Sequence, residues 1–159
     1  MVQKIDPIAR FMQEHSVTLL QLSSLNRATR DLEERGFSIE AFRRLLTALD
    51  FLQEEVGHHN AREETALFPV LDRYVEGPTS VMRLEHKTLK RELRRLKTSV
   101  KAVEQKPSSK RTIREMRAQS RLVVQQFVNH IHKENNILFP LVQKFLTKDA
   151  LREIARRMA

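Results

Sequence analysis

Two stretches of this chain carry the same chemistry in the same register. Glu14-His15, His59, Glu63 and Leu67-Phe68-Pro69 recur as Glu85-His86, His130, Glu134 and Leu138-Phe139-Pro140, every pair separated by 71 residues. A single match of this kind could be chance. One offset shared by all of them argues for two helix-hairpin halves related by a pseudo-twofold axis. The period is longer than that of solenoid repeats and occurs only twice, so the chain closes on itself instead of forming an array.

The elements between these marks read as helices. Only three Gly and five Pro in 159 residues leave few places for the tight turns of a many-stranded β architecture. Those few cut the chain into four long segments. Asp6-Pro7 opens the first and Gly36 follows its end, Gly77-Pro78-Thr79 separates the second from the third, and Lys106-Pro107-Ser108-Ser109 separates the third from the fourth. A short fifth helix is expected after Thr147. Apolar residues recur at steps of three and four within each segment: Ile8, Met12, Leu19 and Leu22 in the first, Phe42 to Tyr74 in the second, Met82 to Val103 in the third, and Ile113 to Leu138, Leu141 and Phe145 in the fourth. One stripe per helix predicts an all-α fold, an antiparallel up-down-up-down four-helix bundle forming a single domain over 1–159, with its core at about 7–145.

Six polar residues interrupt these stripes. His15, His59, Glu63, His86, His130 and Glu134 fall at core positions, where an unpaired ionised carboxylate is costly. His59/Glu63 and His130/Glu134 are i,i+4 pairs, which puts imidazole and carboxylate one turn apart on the same helix face, in chelating geometry. His15 and His86 come from the other two helices, so four imidazoles and two carboxylates converge. A lone histidine on an apolar stripe is ordinarily a satisfied core residue; the joint pattern reverses that reading. Nitrogen and oxygen donors without a thiolate suit iron or manganese, and six of them exceed what one tetrahedral zinc requires. Two carboxylates among six donors suggest two adjacent ions bridged by Glu63 and Glu134, with a coordination position left for a small molecule.

Glu14-His15, His58-His59-x-x-x-Glu63-Glu64 with Leu67-Phe68-Pro69, Glu85-His86, and His130-x-x-x-Glu134 with Leu138-Phe139-Pro140 resemble the hemerythrin-like family, in its HHE cation-binding branch. The resemblance runs from about Pro7 to Phe145. It implies a non-haem centre of two irons, with one or two bridging oxygens from solvent and with manganese or zinc as substitutes, held by His15, His59, Glu63, His86, His130 and Glu134. The respiratory oxygen carriers of that family carry a further His where this chain has Lys90 and an Asp where it has Asn135. Lacking that fifth imidazole, the site is more symmetric. The resemblance therefore favours redox, sensing, nitric-oxide or peroxide chemistry over pure oxygen transport. Relatives that repair iron-sulfur clusters add a Cys-bearing N-terminal domain, whereas this sequence contains no Cys.

Around the donors, His58, His132 and Glu64 are expected at the surface, and Glu14 and Glu85 exposed or behind the ligands. Met12, Leu19, Val56, Leu89 and Phe127, one turn away, predict a dry apolar shell that admits O2, NO or H2O2. Gly57 either makes room for a neighbouring helix or an access path, or is merely tolerated. Pro69 and Pro140 should disturb regular hydrogen bonding near Thr65 and Asn136. Phe68 and Phe139 either cap the site or simply pack in the core.

Charge divides the chain unevenly. Residues 1–77 hold 9 Lys/Arg against 13 Asp/Glu, and residues 78–159 hold 20 against 7. Lys87, Lys90, Arg91, Arg94, Arg95, Lys97 and Lys101, extended by Lys110, Arg111, Arg114, Arg117 and Arg121, make one face strongly basic. A single Tyr and no Trp provide no base-stacking platform, so nucleic acid is not the expected partner. An acidic protein partner is the alternative: a metal-stabilised, non-catalytic module docking through this face, or an iron store or sensor. No apolar run approaches the ~20 residues of a membrane span, and neither a secretory leader nor Cys marks an oxidising compartment, so a cytoplasmic protein is expected. Carrier, sensor and enzyme all remain readings of the donor set.

Overall fold

A computed structural model describes residues 6–159, and everything it describes outside turns is helical. Helix α1 spans Pro7–Arg35, α2 Ile39–Arg62, α3 Phe68–Leu71, α4 Pro78–Gln105, α5 Lys110–Lys133, α6 Phe139–Phe145 and α7 Lys148–Arg157. Their starts are chemically specified. The Asp6 carboxylate accepts from Ile8 N–H ahead of Pro7; Ser38, Ser109 and Thr147 accept from the backbone N–H three residues on. Gly36 and Gly77 adopt φ of 85° and 108°, the left-handed region that lets the chain reverse between helices.

The helices pack into a bundle in which α1 lies against α2 and α5, and α4 against α5 and, more sparsely, α2. Its main core joins Leu22, Leu25, Leu32, Leu45, Leu52, Leu89, Leu96, Met116 and Phe127 from all four long helices. A second core gathers Ile8, Phe11, Phe68, Leu71, Phe139 and Val142 with Ala150 and Ile154 of α7, the expected short helix after Thr147. Between the two cores lies the polar layer formed by the histidines and glutamates. Among the described residues no helix is long and apolar enough to cross a membrane.

The prolines disturb hydrogen bonding where expected, and do so without breaking the helices. Glu63–Leu67 and Glu134–Leu138 form single π-helical turns that lead directly into α3 and α6. Phe68 N–H reaches back five residues to the Glu63 carbonyl, and Phe139 N–H to that of Glu134. The wider turn accommodates the N–H that Pro69 and Pro140 lack.

These turns correct the predicted stripes. A π turn inserts one residue, rotating the following face, so Val142 and Leu146 are buried where Leu141 and Phe145 were expected; Phe145 is exposed, as is Tyr74. On α1 the inward residue between Ile8 and His15 is Phe11, not Met12, which is 40% exposed. Both choices satisfy three-or-four spacing, and the larger aromatic area takes the interior. Leu19 is only half-buried.

Candidate metal centre

All six predicted donors reach one place. Glu63 and Glu134 are fully buried, and His15, His59, His86 and His130 are 3 to 6% exposed. They form two overlapping groups whose ligand atoms lie within 4.8 Å of one another: His15, His59, Glu63 and Glu134, and Glu63, His86, His130 and Glu134. Both carboxylates belong to both groups. His15 Nε2 stands 3.1 Å from His59 Nε2 and 3.2 Å from Glu134 Oε1; His86 Nε2 lies 3.3 Å from Glu63 Oε2, and His130 Nε2 2.9 Å from Glu134 Oε1. The two i,i+4 pairs each open a π turn, which places both carboxylates at the level where the two cores meet.

Every imidazole is also held from behind. Nδ1 of His59 donates to Glu14 at 3.3 Å, Nδ1 of His86 to Glu64 at 2.9 Å, Nδ1 of His130 to Glu85 at 2.8 Å, and Nδ1 of His15 to the Asn135 amide oxygen at 2.7 Å. Arg62 pairs with Glu14 and Lys133 with Glu85, anchoring those carboxylates in turn. Glu14 and Glu85 thus stand behind the donors. Glu64 corrects its surface assignment, being half-buried and bonded to His86, and Asn135 is a residue the stripe pattern gave no reason to select. A signal for both existed: Glu64 and Asn135 are 71 residues apart, as are Arg62 and Lys133. His58 and His132 are exposed, as expected.

The rings are packed as well as hydrogen-bonded. Phe139 stacks on His15 with centroids 5.4 Å apart and Phe68 on His86 at 5.8 Å, while Phe11 meets His59 edge-on at 5.2 Å. The phenylalanines after the π turns therefore both fill the second core and cover the imidazoles.

The inner atoms decide what the site can hold. With each Nδ1–H directed outward, each Nε2 presents a lone pair inward, toward carboxylate oxygens that can only accept. Both oxygens of Glu63, both of Glu134, and Nε2 of His86 and His130 are buried with no hydrogen-bond partner. Acceptors facing acceptors at about 3 Å repel unless positive charge lies between them. Protons or metal ions are the candidates. Burial alone would lower the histidines, but hydrogen bonds and charge from Glu134 and Glu63 outweigh it, raising His15 to about 9; for His59 the charge of Glu63 and bonds to Glu14 and Glu63 raise it to about 10. His130 is raised by Glu134 in the same way, and Glu63 is held well below the usual carboxylate range, against its burial, chiefly by His59. A field that draws protons so strongly draws divalent cations too, and the donor set suits them. The hemerythrin HHE cation-binding domain family matches residues 6–142.

The chain belongs to that family.

Membership and the His/Glu donor groups together indicate a non-haem iron site in this hemerythrin-like protein. Among curated relatives, the iron-sulfur cluster repair protein YtfE of Yersinia pseudotuberculosis (serotype IB, strain PB1/+) is 31% identical over 102 residues, 62% of this chain and 46% of that protein. YtfE of Musicola paradisiaca is 31% identical over 100 residues, 60% of this chain and 45% of its own. YtfE of Cronobacter sakazakii is 33% identical over 96 residues, 58% and 43% respectively. The match thus spans less than half the length of these relatives.

Proposed function

We propose that this hemerythrin-like chain holds two irons and binds, senses or reacts with a small ligand, O2, NO or peroxide. One observation carries the reading: four partnerless carboxylate oxygens, shared between two donor groups, are enclosed by imidazole nitrogens. His15 and His59 would hold one ion, His86 and His130 the other, with Glu63 and Glu134 bridging. Bound iron would supply ferrous–ferric redox chemistry and, with four protein donors to each ion, room for a small additional ligand.

The protein's own residues do the rest. Glu14, Glu64, Glu85 and Asn135 keep a hydrogen on each Nδ1, fixing the tautomer that offers Nε2 inward. Phe11, Phe68 and Phe139 exclude bulk water from the ring faces, which favours small, weakly hydrated ligands over bulky polar ones. The closed ring of packing α1–α2–α4–α5–α1 supports an antiparallel up-down-up-down arrangement of the long helices within one domain, each half contributing one hairpin.

A second reading comes from the names of the relatives, which are iron-sulfur cluster repair proteins. It would use the same six donors, with iron or nitric oxide exchanged at the site. Anaerobic loading with ferrous iron, followed by exposure to air or NO, tests the proposal. We expect iron to be retained through desalting and near-ultraviolet charge-transfer absorption to develop on exposure. A protein that retains no iron and gains no absorption contradicts it.

A further inference from the structure

The two halves differ along one seam. Where α1 meets α5, Leu19, Val124 and Val128 pack against the main core and Ile131 is 2% exposed. Their counterparts 71 residues away are Lys90, Gln53, Gly57 and Asn60, since the order of hairpins places α4 against α2 as α1 lies against α5. Four apolar residues are thus replaced by one cation, two amides and a glycine. The α2–α4 seam consequently does not close. It forms a groove of about 520 Å³, within the size range of small-molecule sites.

The groove is amphipathic. Leu52, Val56, Leu89, Leu93 and Phe127 form its floor. Lys87, Lys90, Arg94 and Lys97 line its α4 edge, and among the described residues none of these four has an acidic partner within 4 Å, whereas Arg91 and Arg95 are drawn to the buried Glu92. The lining residues of the facing α2 edge are neutral, and Glu64, in the π turn that follows α2, stands at the His86 end. Gly57 faces the open groove, since a Cβ there would meet nothing within 4 Å. That glycine therefore serves no close helix approach.

We propose that this groove binds a free amphipathic anion, an unbranched aliphatic carboxylate. Charge sets its direction. Glu64 disfavours an anionic head at the His86 end, whereas Arg94 and Lys97 meet no acid at the other, so the head lies between Arg94 and Lys97 and the chain runs over Leu93, Leu89 and Phe127 toward His86. From Leu89 to Lys97 the α4 edge is about 12 Å long at the rise of an α-helix, enough for a medium-length chain. Hydrocarbon against the floor supplies affinity, and the cationic edge selects the sign of the head. The groove reaches the metal centre at His86 and Glu64 but contains neither Glu63 nor Glu134, and its head-binding end at Arg94 and Lys97 lies about 12 Å or more along α4 from His86.

Calorimetric titration of the iron-loaded protein with sodium decanoate, with decyltrimethylammonium as the cationic control, tests this. Saturable binding of decanoate at one per chain is expected, with the control at least about tenfold weaker. Gly57→Val, which installs the residue of the equivalent position in the other half, and Arg94→Glu, which keeps the groove but reverses its head-binding charge, should each weaken decanoate about tenfold or more while iron content stays at the wild-type value. The proposal is overturned by absence of saturable binding, by equal affinity for the cationic amphiphile, by undiminished binding in both variants, or by association with anionic phospholipid vesicles without binding of free decanoate. Iron content measured on the same samples separates these outcomes from a failure of the metal reading.

Discussion

The α1–α2 hairpin and the α4–α5 hairpin present the same donors to the centre and share most of their supports, yet differ behind one imidazole of each and along one seam. Behind the first, His15 leans on the neutral amide of Asn135; behind the second, the equivalent His86 leans on the carboxylate of Glu64. The α1–α5 seam is filled by aliphatic side chains, while its counterpart is a groove edged with lysine and arginine. The repeat thus keeps all six converging donors, with Glu14/Glu85 and Phe68/Phe139 around them, and differs at Asn135/Glu64 and in the seam, where each side can be tuned separately. Removing a shared group should affect both halves and removing an unshared one only its own.

The largest effect follows directly. Glu63→Ala removes a donor common to both groups, so it should abolish retention of both ions, whereas His15→Ala or His86→Ala should leave about half the iron. Iron analysis after desalting checks this; equal losses in all three variants would break the distinction between shared and unshared donors. Exchanging the outer partners should act next most strongly. Glu64→Gln removes the negative charge behind His86 and should weaken iron about tenfold or more, within the range for such supporting groups, while Asn135→Asp should strengthen the His15 side. Competition with a chelator measures both, and shifts in the same direction would contradict the assignment.

The same repeat made part of this legible in sequence. All six donors and both π-turn prolines could be read from the 71-residue offset, because a donor in a core stripe is conspicuous. Glu64 and Asn135 were not, since nothing in helical periodicity distinguishes a half-buried residue bonded to an imidazole from one facing solvent. The 71-residue offset relating them was a signal, weaker than that of the donors because the two residue types differ. Phe145 and Tyr74 were misplaced for another reason: each lies beyond a π turn, where a strict 3.6-residue period no longer tracks the inward face. Proline announced the disturbance without saying that it would add a residue instead of ending the helix. Gly57 became informative only beside Val128, its counterpart in the closed seam.

A smaller effect concerns protons in the metal-free protein. His15 and His59 have folded values of about 9 and 10 against an ordinary value of 6.5, so their contribution to stability is full below about 6.5 and is lost as pH rises through 9 to 10. Thermal unfolding of chelator-treated protein should therefore move to lower temperature as pH is raised from neutral, and the decline should shrink in His59→Ala; a midpoint that rises with pH contradicts this. The smallest effect contrasts two positions related by the repeat. Gly57→Ala adds a Cβ into open space and should stabilise by about 0.5–1 kcal/mol, while Val128→Ala, in the filled seam, should destabilise by about 1 kcal/mol. Denaturant titration reads both, and equal signs would remove the difference drawn between the seams.

The central claim is that Glu63 and Glu134 face inward-turned imidazole nitrogens because cations belong between them. Anomalous diffraction at the iron edge from crystals of the iron-loaded protein tests it most directly. Two peaks are expected, one beside His15 and His59 and one beside His86 and His130, each within bonding distance of both carboxylates. No peak at this level of the bundle, or one that touches neither glutamate, would contradict it.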